Sequence, residues 1–563
     1  MVAEIYFRTL WRGHVIQTGP AMRSHAPLLL HIISLKPEHT RPGLICRTGW
    51  TDRKLRTWFY CGLLAVFVFR VLLLWVLPLD LSGDEAYYWD WGRHLDWGYF
   101  SKPPGIAWLM ALAGWAGGDT AFGIRFFAVL LGTGGLWLLY ELGSRMYDTR
   151  TGLMAALIFA LTPANAALNL ILTIDAPLVF CWTGAMLAFW GFAQSQGRSR
   201  AWAVGLTLFL AGGLLTKQMA LVFYPLTFLV LAACPNFRIL LKSFSFWLAL
   251  VLPLAALLPT LYWNSNNDWI TFTHTLHHFE SGSPVPSVRV WRVLEFFGSG
   301  LGLLTPVVCI LIMLLMSATI LGWKQLAARE RLIWIFSGLG LLIITLLAFR
   351  QRVNPNWPAV FVPGALVLLT SWSLGHWSTG YQWMDQWRKL RLPCLYVTLG
   401  CFLFFHGVIF AFSFGDLRVA ALNPVLRLQG WSRLADEINN LHSKQSNPAN
   451  VIFITQGHRY MTSELAFYLS GHPEVYRFNP VRGFIETQYD LWKSPVGRLG
   501  HDAFIVVYGL DPDVDPRLSA CFEEVNLLKE FDQSQSPSTD NKIAIYFGRN
   551  LHSWPVGATD ASN

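Results

Sequence analysis

Long apolar runs recur along the chain from Trp58 to Phe414, separated by shorter polar segments. Each run approaches the roughly 20 apolar residues that a helix needs to cross a bilayer core about 30 Å thick. The pattern predicts a polytopic α-helical membrane protein with about eleven spans, or eleven to thirteen, because Lys217 divides two short runs. The predicted spans are 58–79, 124–144, 152–169, 174–192, 202–216, 218–234, 245–263, 297–322, 332–349, 357–374 and 394–414.

The pattern changes after Phe414 to a mixture of polar and apolar positions. Runs of alternating or β-branched residues predict strands, and one run has helical spacing. The sequence therefore predicts a small C-terminal α/β domain, and three regions in all: an N-terminal extension at 1–56, a transmembrane domain at 57–415 and a soluble domain at 416–563. The predicted elements of the last region are strands at 451–455, 503–508, 523–531 and 542–547 and a helix at 463–469.

Composition agrees with a membrane protein, since 53% of the residues are hydrophobic and only 14% are charged. Lys and Arg fall in alternate loops, at 53–56, 145–150, 198–200, 238–242, 324–331 and 388–391. The positive-inside rule places these loops and the N-terminal extension in the cytoplasm. The chain is predicted to lie in the inner (plasma) membrane with its C-terminal domain outside the cytoplasm. Basic cytoplasmic loops also explain the net positive charge without nucleic acid as a partner.

The first outside loop, Asp80 to Asp119, is long, acidic and rich in Trp and Tyr. Ser82 or Asp84 could cap a helix that carries Tyr87 and Trp89, and such aromatic rings favour the membrane interface. One interpretation is an interfacial anchor. The other is a sugar-transfer site, because Asp84 or Glu85 can supply the base that an acceptor hydroxyl needs.

Four further residues are candidates for the same site. Lys102 precedes two prolines that stiffen the loop, so its ammonium could be aimed at a phosphate. Asp175 opens an apolar run, Lys217 interrupts one, and Arg352 follows another. The alternatives are a surface lysine for Lys102, an N-cap for Asp175 and a lysine that reaches the headgroups for Lys217. For Arg352 a phosphate contact and a plain surface position stay equally open.

Metal and disulfide chemistry are not indicated. The eight cysteines lack metal-type spacing, and Cys521 is the only one after the last apolar run. His274, His277 and His278 could share a helical face, but no carboxylate or cysteine of matching spacing accompanies them. The sequence predicts no required cofactor, and it leaves a divalent metal open without indicating one.

Several of these residues also carry a family likeness. They are the Asp-Glu pair after the first span, YFSKPPG later in that loop, the TIDAP segment around Asp175, and LLTKQ around Lys217. Together they resemble the GT-C glycosyltransferases, in the bacterial branch related to protein O-mannosyltransferases and the lipid A aminoarabinose transferase. The likeness covers roughly 80–356, and the membrane layout continues to about residue 414.

The resemblance implies inverting transfer of a sugar from a polyprenyl phosphate carrier on the extracytoplasmic side. It makes Asp84 the loop acid and Asp175 a second acid, and it places Lys102 and Lys217 near the carrier phosphate. The chain departs from the lipid A enzyme at Ser101, where that enzyme has an acid, and at His274 and Thr275, where it has a Glu-His pair.

The predicted function is glycosyl transfer from an undecaprenyl-type phosphate sugar to an envelope acceptor, which could be lipid A, another glycolipid, a polysaccharide or a protein. Membrane lipids are the other expected partners. The alternatives are a transporter or flippase of lipid-linked sugars and, last, a membrane scaffold. A transporter often has broken helices paired across two halves, and the sequence predicts none.

Overall fold

A helical region is followed by a five-stranded sheet domain in the computed structural model, which describes residues 49–280, 286–415, 425–481, 484–531 and 542–555. From Thr48 onward these elements form one compact unit. The first 48 residues, which hold most of the predicted N-terminal extension, lie outside the described residues. The extension's last residues, 49–56, already belong to the first helix.

The helices are numbered here in chain order. They are α1 (Gly49–Val76), α2 (Gly83–Arg93), α3 (Gly105–Gly117), α4 (Ala121–Met146), α5 (Thr149–Ala160), α6 (Pro163–Leu170), α7 (Asp175–Gln194), α8 (Arg200–Thr216), α9 (Phe223–Ala233), α10 (Phe244–Val251), α11 (Leu258–Ser265), α12 (Ile270–Glu280), α13 (Pro286–Leu304), α14 (Pro306–Leu321), α15 (Ala328–Ala348), α16 (Val362–Ser373), α17 (Gln382–Asp385), α18 (Arg391–Phe414), α19 (Trp431–Ser443), α20 (Arg459–Tyr468) and α21 (Pro516–Ser519). The longer 3-10 segments are Gln218–Val222, Pro235–Lys242, Leu252–Leu257, Trp357–Phe361 and Gln386–Leu390.

The chain is a multi-pass membrane protein. Among the described residues, six helices are long and apolar enough to cross a membrane, or up to nine if each of three bent helix pairs is one span. The predicted count of eleven is therefore not confirmed. The segments 200–216 and 357–373 are apolar helices that are shorter than the other spans.

The structure has three bent helix pairs among the described residues, and two of them fall within predicted spans. The chain turns by 73° between α5 and α6, by 118° between Gln218–Ala233 and Pro235–Lys242, and by 116° between α13 and α14. Each second helix starts at a proline, which has no N–H to continue the preceding helix. Thr305, before Pro306, also has a φ of 69°, outside the helical region. The prediction of unbroken spans at 152–169 and 297–322 is wrong.

The C-terminal domain is built on one sheet of strand order β2-β1-β3-β5-β4. The strands are β1 (Val451–Gln456), β2 (Val475–Phe478), β3 (Asp502–Gly509), β4 (Phe522–Phe531) and β5 (Lys542–Leu551). The first three strands are parallel, while β5 is antiparallel to both β3 and β4. The four predicted strands and the predicted helix, now α20, are present. The short edge strand β2 and the amphipathic helix α19 were not predicted.

The loop between α1 and α4, residues 77–120, packs against the sheet domain and is called the first loop below. One hydrophobic core contains aromatic residues of α2 together with residues of α19, α20 and the sheet. Backbone and side-chain hydrogen bonds also cross this contact, among them Leu81 N to Tyr468 Oη at 2.7 Å and Tyr489 Oη to Asp90 Oδ2 at 2.7 Å. The rings of Tyr87 and Trp89 are buried here, so the prediction that they anchor α2 in a membrane interface is wrong.

Candidate active site

The first part of the site is an ion pair between two membrane helices. Asp175 begins α7 and Lys217 follows the last residue of α8, so each charge has the sign that its helix end favours. Lys217 Nζ lies 2.9 Å from Asp175 Oδ1. Asn356 Nδ2 donates to the other carboxylate oxygen at 2.5 Å. Asp175 is buried, and these two contacts fix its orientation.

Asp84 is the second part of the site and lies in the first turn of α2. The helix begins with a capping box in which Ser82 accepts from Glu85 N, which confirms Ser82 as the cap. Arg459 Nη2, from the start of α20 in the sheet domain, lies 3.1 Å from Asp84 Oδ1. The Asp84 side chain stays 41% exposed. It is therefore a carboxylate that a substrate could reach.

Arg459 was missed by the sequence prediction because 375 residues separate it from Asp84. Its guanidinium lies over the rings of Tyr87 and Tyr460, 5.0 and 4.8 Å from their centroids. Gly83 allows the start of α2 to lie directly against Tyr460, since a Cβ at this position would lie 2.2 Å from Cγ of Tyr460. The sequence feature that indicates this residue is an arginine flanked by aromatic residues at a strand-to-helix turn.

Lys102 supplies an amine between these two parts. It is partly buried, and its Nζ donates to the carbonyl of Ser101 at 3.1 Å. No carboxylate of the described chain lies within ion-pair distance of it. Gly105 brings this loop against the end of α8, because a Cβ at Gly105 would lie 2.6 Å from the carbonyl oxygen of Leu215.

The pKa of Lys102 reflects the charges of the other predicted site residues. Burial, and then the charge of Lys217, lower the pKa of Lys102 to about 8, while Asp84 and Asp175 act to raise it and Arg459 acts to lower it. Burial, followed by the charges of Asp84 and, more weakly, Asp175, likewise raises the pKa of Tyr88 well above its ordinary value. The charges of Asp84, Asp175 and Lys217 thus all act on the Lys102 amine.

Glu85 is not part of this group. Its side chain is fully buried and forms an ion pair with Arg125 at 2.9 Å. Its oxygens also accept from the backbone N–H groups of Ser82 and Leu172, each at 2.9 Å. A carboxylate with all of these donors holds α2 against α4 and the chain before α7. Its position does not support the prediction that Glu85 is a catalytic base.

Arg352 and His274 make other contacts in the structure. Arg352 pairs with Glu295 of α13 at 2.5 Å, and its side chain is 69% exposed. A phosphate would have to compete with that carboxylate. Of the histidines, only the side chain of His274 is described, and its ring centroid lies 4.6 Å from that of Phe100. His277 and His278 are outside the residues whose side chains are described.

Sequence comparisons align this site with sugar transferases. Residues 101–263, which include Lys102, Asp175 and Lys217, match the family model described as dolichyl-phosphate-mannose-protein mannosyltransferase. The lipid A galacturonosyltransferase RgtD of Rhizobium johnstonii is 30% identical over 320 residues, covering 56% of this chain and 65% of that protein. The undecaprenyl phosphate-alpha-4-amino-4-deoxy-L-arabinose arabinosyl transferase of Erwinia tasmaniensis is 29% identical over 178 residues, covering 28% of this chain and 32% of that protein.

Structural comparison extends the match to nearly the whole fold. The structure of ArnT from Cupriavidus metallidurans bound to undecaprenyl phosphate superimposes with a TM-score of 0.57, covering 89% of this chain and 98% of that one at 16% identity. At this level of identity the likeness shows that the two chains share a fold. The sequence alignments span less than two thirds of the length of either relative.

Proposed function

We propose that this chain is a GT-C glycosyltransferase that transfers a sugar from an undecaprenyl-type phosphate carrier to an envelope lipid, with lipid A as the first candidate acceptor. The observation that carries the proposal is that a reachable carboxylate, Asp84, and the ammonium group of Lys217 both lie close enough for their charges to act on the Lys102 amine. The relatives support the substrate classes, since their names include lipid A as acceptor and undecaprenyl phosphate as carrier.

The proposed reaction is one displacement. The acceptor hydroxyl oxygen attacks the anomeric carbon, the bond from that carbon to the carrier phosphate oxygen breaks, and the electron pair leaves with the phosphate. Asp84 takes the hydroxyl proton, because a carboxylate within hydrogen-bond reach makes an alcohol a better nucleophile. Lys102 and Lys217 stabilise the charge that grows on the leaving phosphate, which favours the transition state over the bound donor.

Asp175 has a supporting role in this proposal. It holds Lys217 at 2.9 Å and is itself held by Asn356, so the Lys217 ammonium has a fixed position. Arg459 orients Asp84 in the same way from the sheet domain. Arg352 could contact the carrier phosphate only after releasing Glu295, so we keep it as a secondary candidate.

The proposed location is the inner membrane, with the N-terminus in the cytoplasm and the site and sheet domain outside it. The basic loops that support this orientation include Arg198 and Arg200 on one side, while Asp84 and Asp175 lie on the other. Single cysteines placed in these loops of a cysteine-free variant should react with an impermeant thiol reagent only on the extracytoplasmic side. Labelling of the 198–200 loop in intact cells would contradict this orientation and support the opposite one.

A flippase of lipid-linked sugars is the second candidate, and the three bent helix pairs are the observation that favours it. A flippase has no use for a base such as Asp84. Purified protein in liposomes should be given undecaprenyl phosphate carrying galacturonic acid, 4-amino-4-deoxy-L-arabinose or mannose, together with lipid A. Mass spectrometry should find lipid A heavier by one sugar residue. Carrier movement across the bilayer without any such product would favour the flippase.

A further inference from the structure

A cavity of about 690 Å³ lies where the first loop meets the sheet domain. Arg93 and His94, at the end of α2, form one side of it. The edge strand β2 and residues 484–498 form much of the rest. Because a helix rises about 1.5 Å per residue, the cavity begins about 9 Å along α2 from Asp84, at Asp90. That separation is on the scale of a short saccharide.

Aromatic rings form a platform in this cavity. The ring centroid of His94 lies 4.3 Å from that of Trp492, and Tyr489 packs edge-to-face on Trp492 at 5.3 Å. Phe484 lines the same cavity and is 58% exposed. Rings of this kind offer flat apolar faces together with polar edges, which suits the faces of sugar rings.

Charged groups of both signs line the cavity, and the carboxylates of Asp96 and Glu474 are among them. Arg477 is already held by Glu486 at 2.6 Å and Asp490 at 2.9 Å, so its donors are occupied and these three groups together carry no positive charge. Lys493 and Arg498 are exposed, and neither has an ion pair within the part of the chain that the structure describes. Two such cations attract the phosphate or carboxylate groups of a ligand.

We infer that this cavity binds the anionic saccharide part of the acceptor lipid, so that the acceptor lies along α2 with one hydroxyl near Asp84. The inference rests on the proposed function for its link to transfer. The aromatic platform and the two exposed cations that have no ion pair match a ligand with both sugar faces and acidic groups. An extended peptide on the edge of β2 is the competing occupant, and it would not need the two cations.

The test is binding of the phosphorylated glucosamine disaccharide of lipid A, stripped of its acyl chains, to the full-length protein in nanodiscs. Titration calorimetry should show a Kd that rises at least about tenfold when Lys493→Glu and Arg498→Glu are combined, since two charge-assisted contacts are lost. Trp492→Ala should weaken binding of both the phosphorylated and the unphosphorylated disaccharide.

The matched control is the pair Lys529→Glu and Arg549→Glu, which makes the same charge change on β4 and β5, away from the cavity. It should leave the Kd unchanged. No binding by the unaltered protein, an equal loss in the control, or equal competition by inorganic phosphate would each overturn the inference. Sugar transfer to intact lipid A, measured in the same preparations, separates the two proposals: transfer without disaccharide binding contradicts only the cavity.

Discussion

Asp84 and Glu85 are neighbours in the chain with opposite environments. Asp84 is 41% exposed and faces Arg459 of the sheet domain, while Glu85 is fully buried against Arg125 of α4. Successive residues of a helix point about 100° apart, so one side of α2 faces the core and the other faces the charge cluster. Two carboxylates that look equivalent in the sequence are thus separated into one structural residue and one candidate base.

Removing Arg125 should have the largest effect on stability. Arg125→Met leaves the Glu85 carboxylate buried without its partner, which typically costs about 3–5 kcal/mol. The same change at Arg459 should cost no more than about 1 kcal/mol, because that pair is partly exposed. Thermal unfolding of both variants in one detergent measures the difference. Equal losses of stability in the two variants would contradict the difference inferred between the Arg125–Glu85 and Arg459–Asp84 ion pairs.

Neutralising the site lysines should have the next largest effect, and it acts on rate. Lys102→Ala or Lys217→Ala should slow transfer by about 10² or more, the scale seen when a donor to a developing anion is removed. Lys444→Ala, an exposed lysine of the sheet domain, is the matched control. Near-normal turnover in both site variants, with donor at saturation, would contradict a role in holding the carrier phosphate.

The pKa of Lys102 makes a pH prediction that sharpens this point. Its amine is charged below its pKa of about 8 and loses its proton above it. Because the charged form binds the phosphate, kcat/KM for the donor should fall about tenfold per pH unit above 8. Lys102→Arg should remove that fall between pH 7 and 10, because a guanidinium stays charged there. If kcat/KM still falls above pH 8 in Lys102→Arg, a titrating group other than Lys102 causes the fall.

The sequence predicted the parts of the site that follow from local chemistry. Ser82 as a cap, an acid at a helix start and a lysine at a helix end all arise from the unsatisfied groups of helix termini. It could not predict which way α2 faces, because Tyr87 and Trp89 suit an interface as well as a buried contact. Arg459 and Asn356 were missed because tertiary packing alone brings them to Asp84 and Asp175.

The helix breaks were missed for a related reason. Hydropathy averages over about 20 residues and does not register a turn at Thr162 or Thr305 inside an apolar run. The Thr-Pro pair at each of these turns is the local signal, since the residue before a proline avoids the helical region. Only packing of the surrounding helices decides whether such a pair kinks a span or ends it.

A third carboxylate at the same contact, Glu464 of α20, should give the smallest effect. Burial, and then the charges of Asp80 and Glu85, raise its pKa well above the ordinary value, while Arg125 opposes them. The folded state therefore keeps a proton that the unfolded chain loses above about pH 4.3, and stability should fall as pH rises from there. Glu464→Gln should flatten this slope, which one proton can make no steeper than about 1.4 kcal/mol per pH unit. An unchanged slope in thermal melts would contradict it.

The comparison of Asp84→Asn with Glu85→Gln tests the central claim most directly, when transfer rate and melting temperature are measured on the same preparations. Asp84→Asn should melt like the unaltered protein and bind the carrier lipid normally, while transfer falls at least about a hundredfold, the low end of general-base catalysis. Glu85→Gln should melt at a lower temperature and keep its transfer rate per folded molecule. Full transfer by Asp84→Asn with none by Glu85→Gln would move the base to Glu85, and full transfer by both would contradict the role of this loop in catalysis.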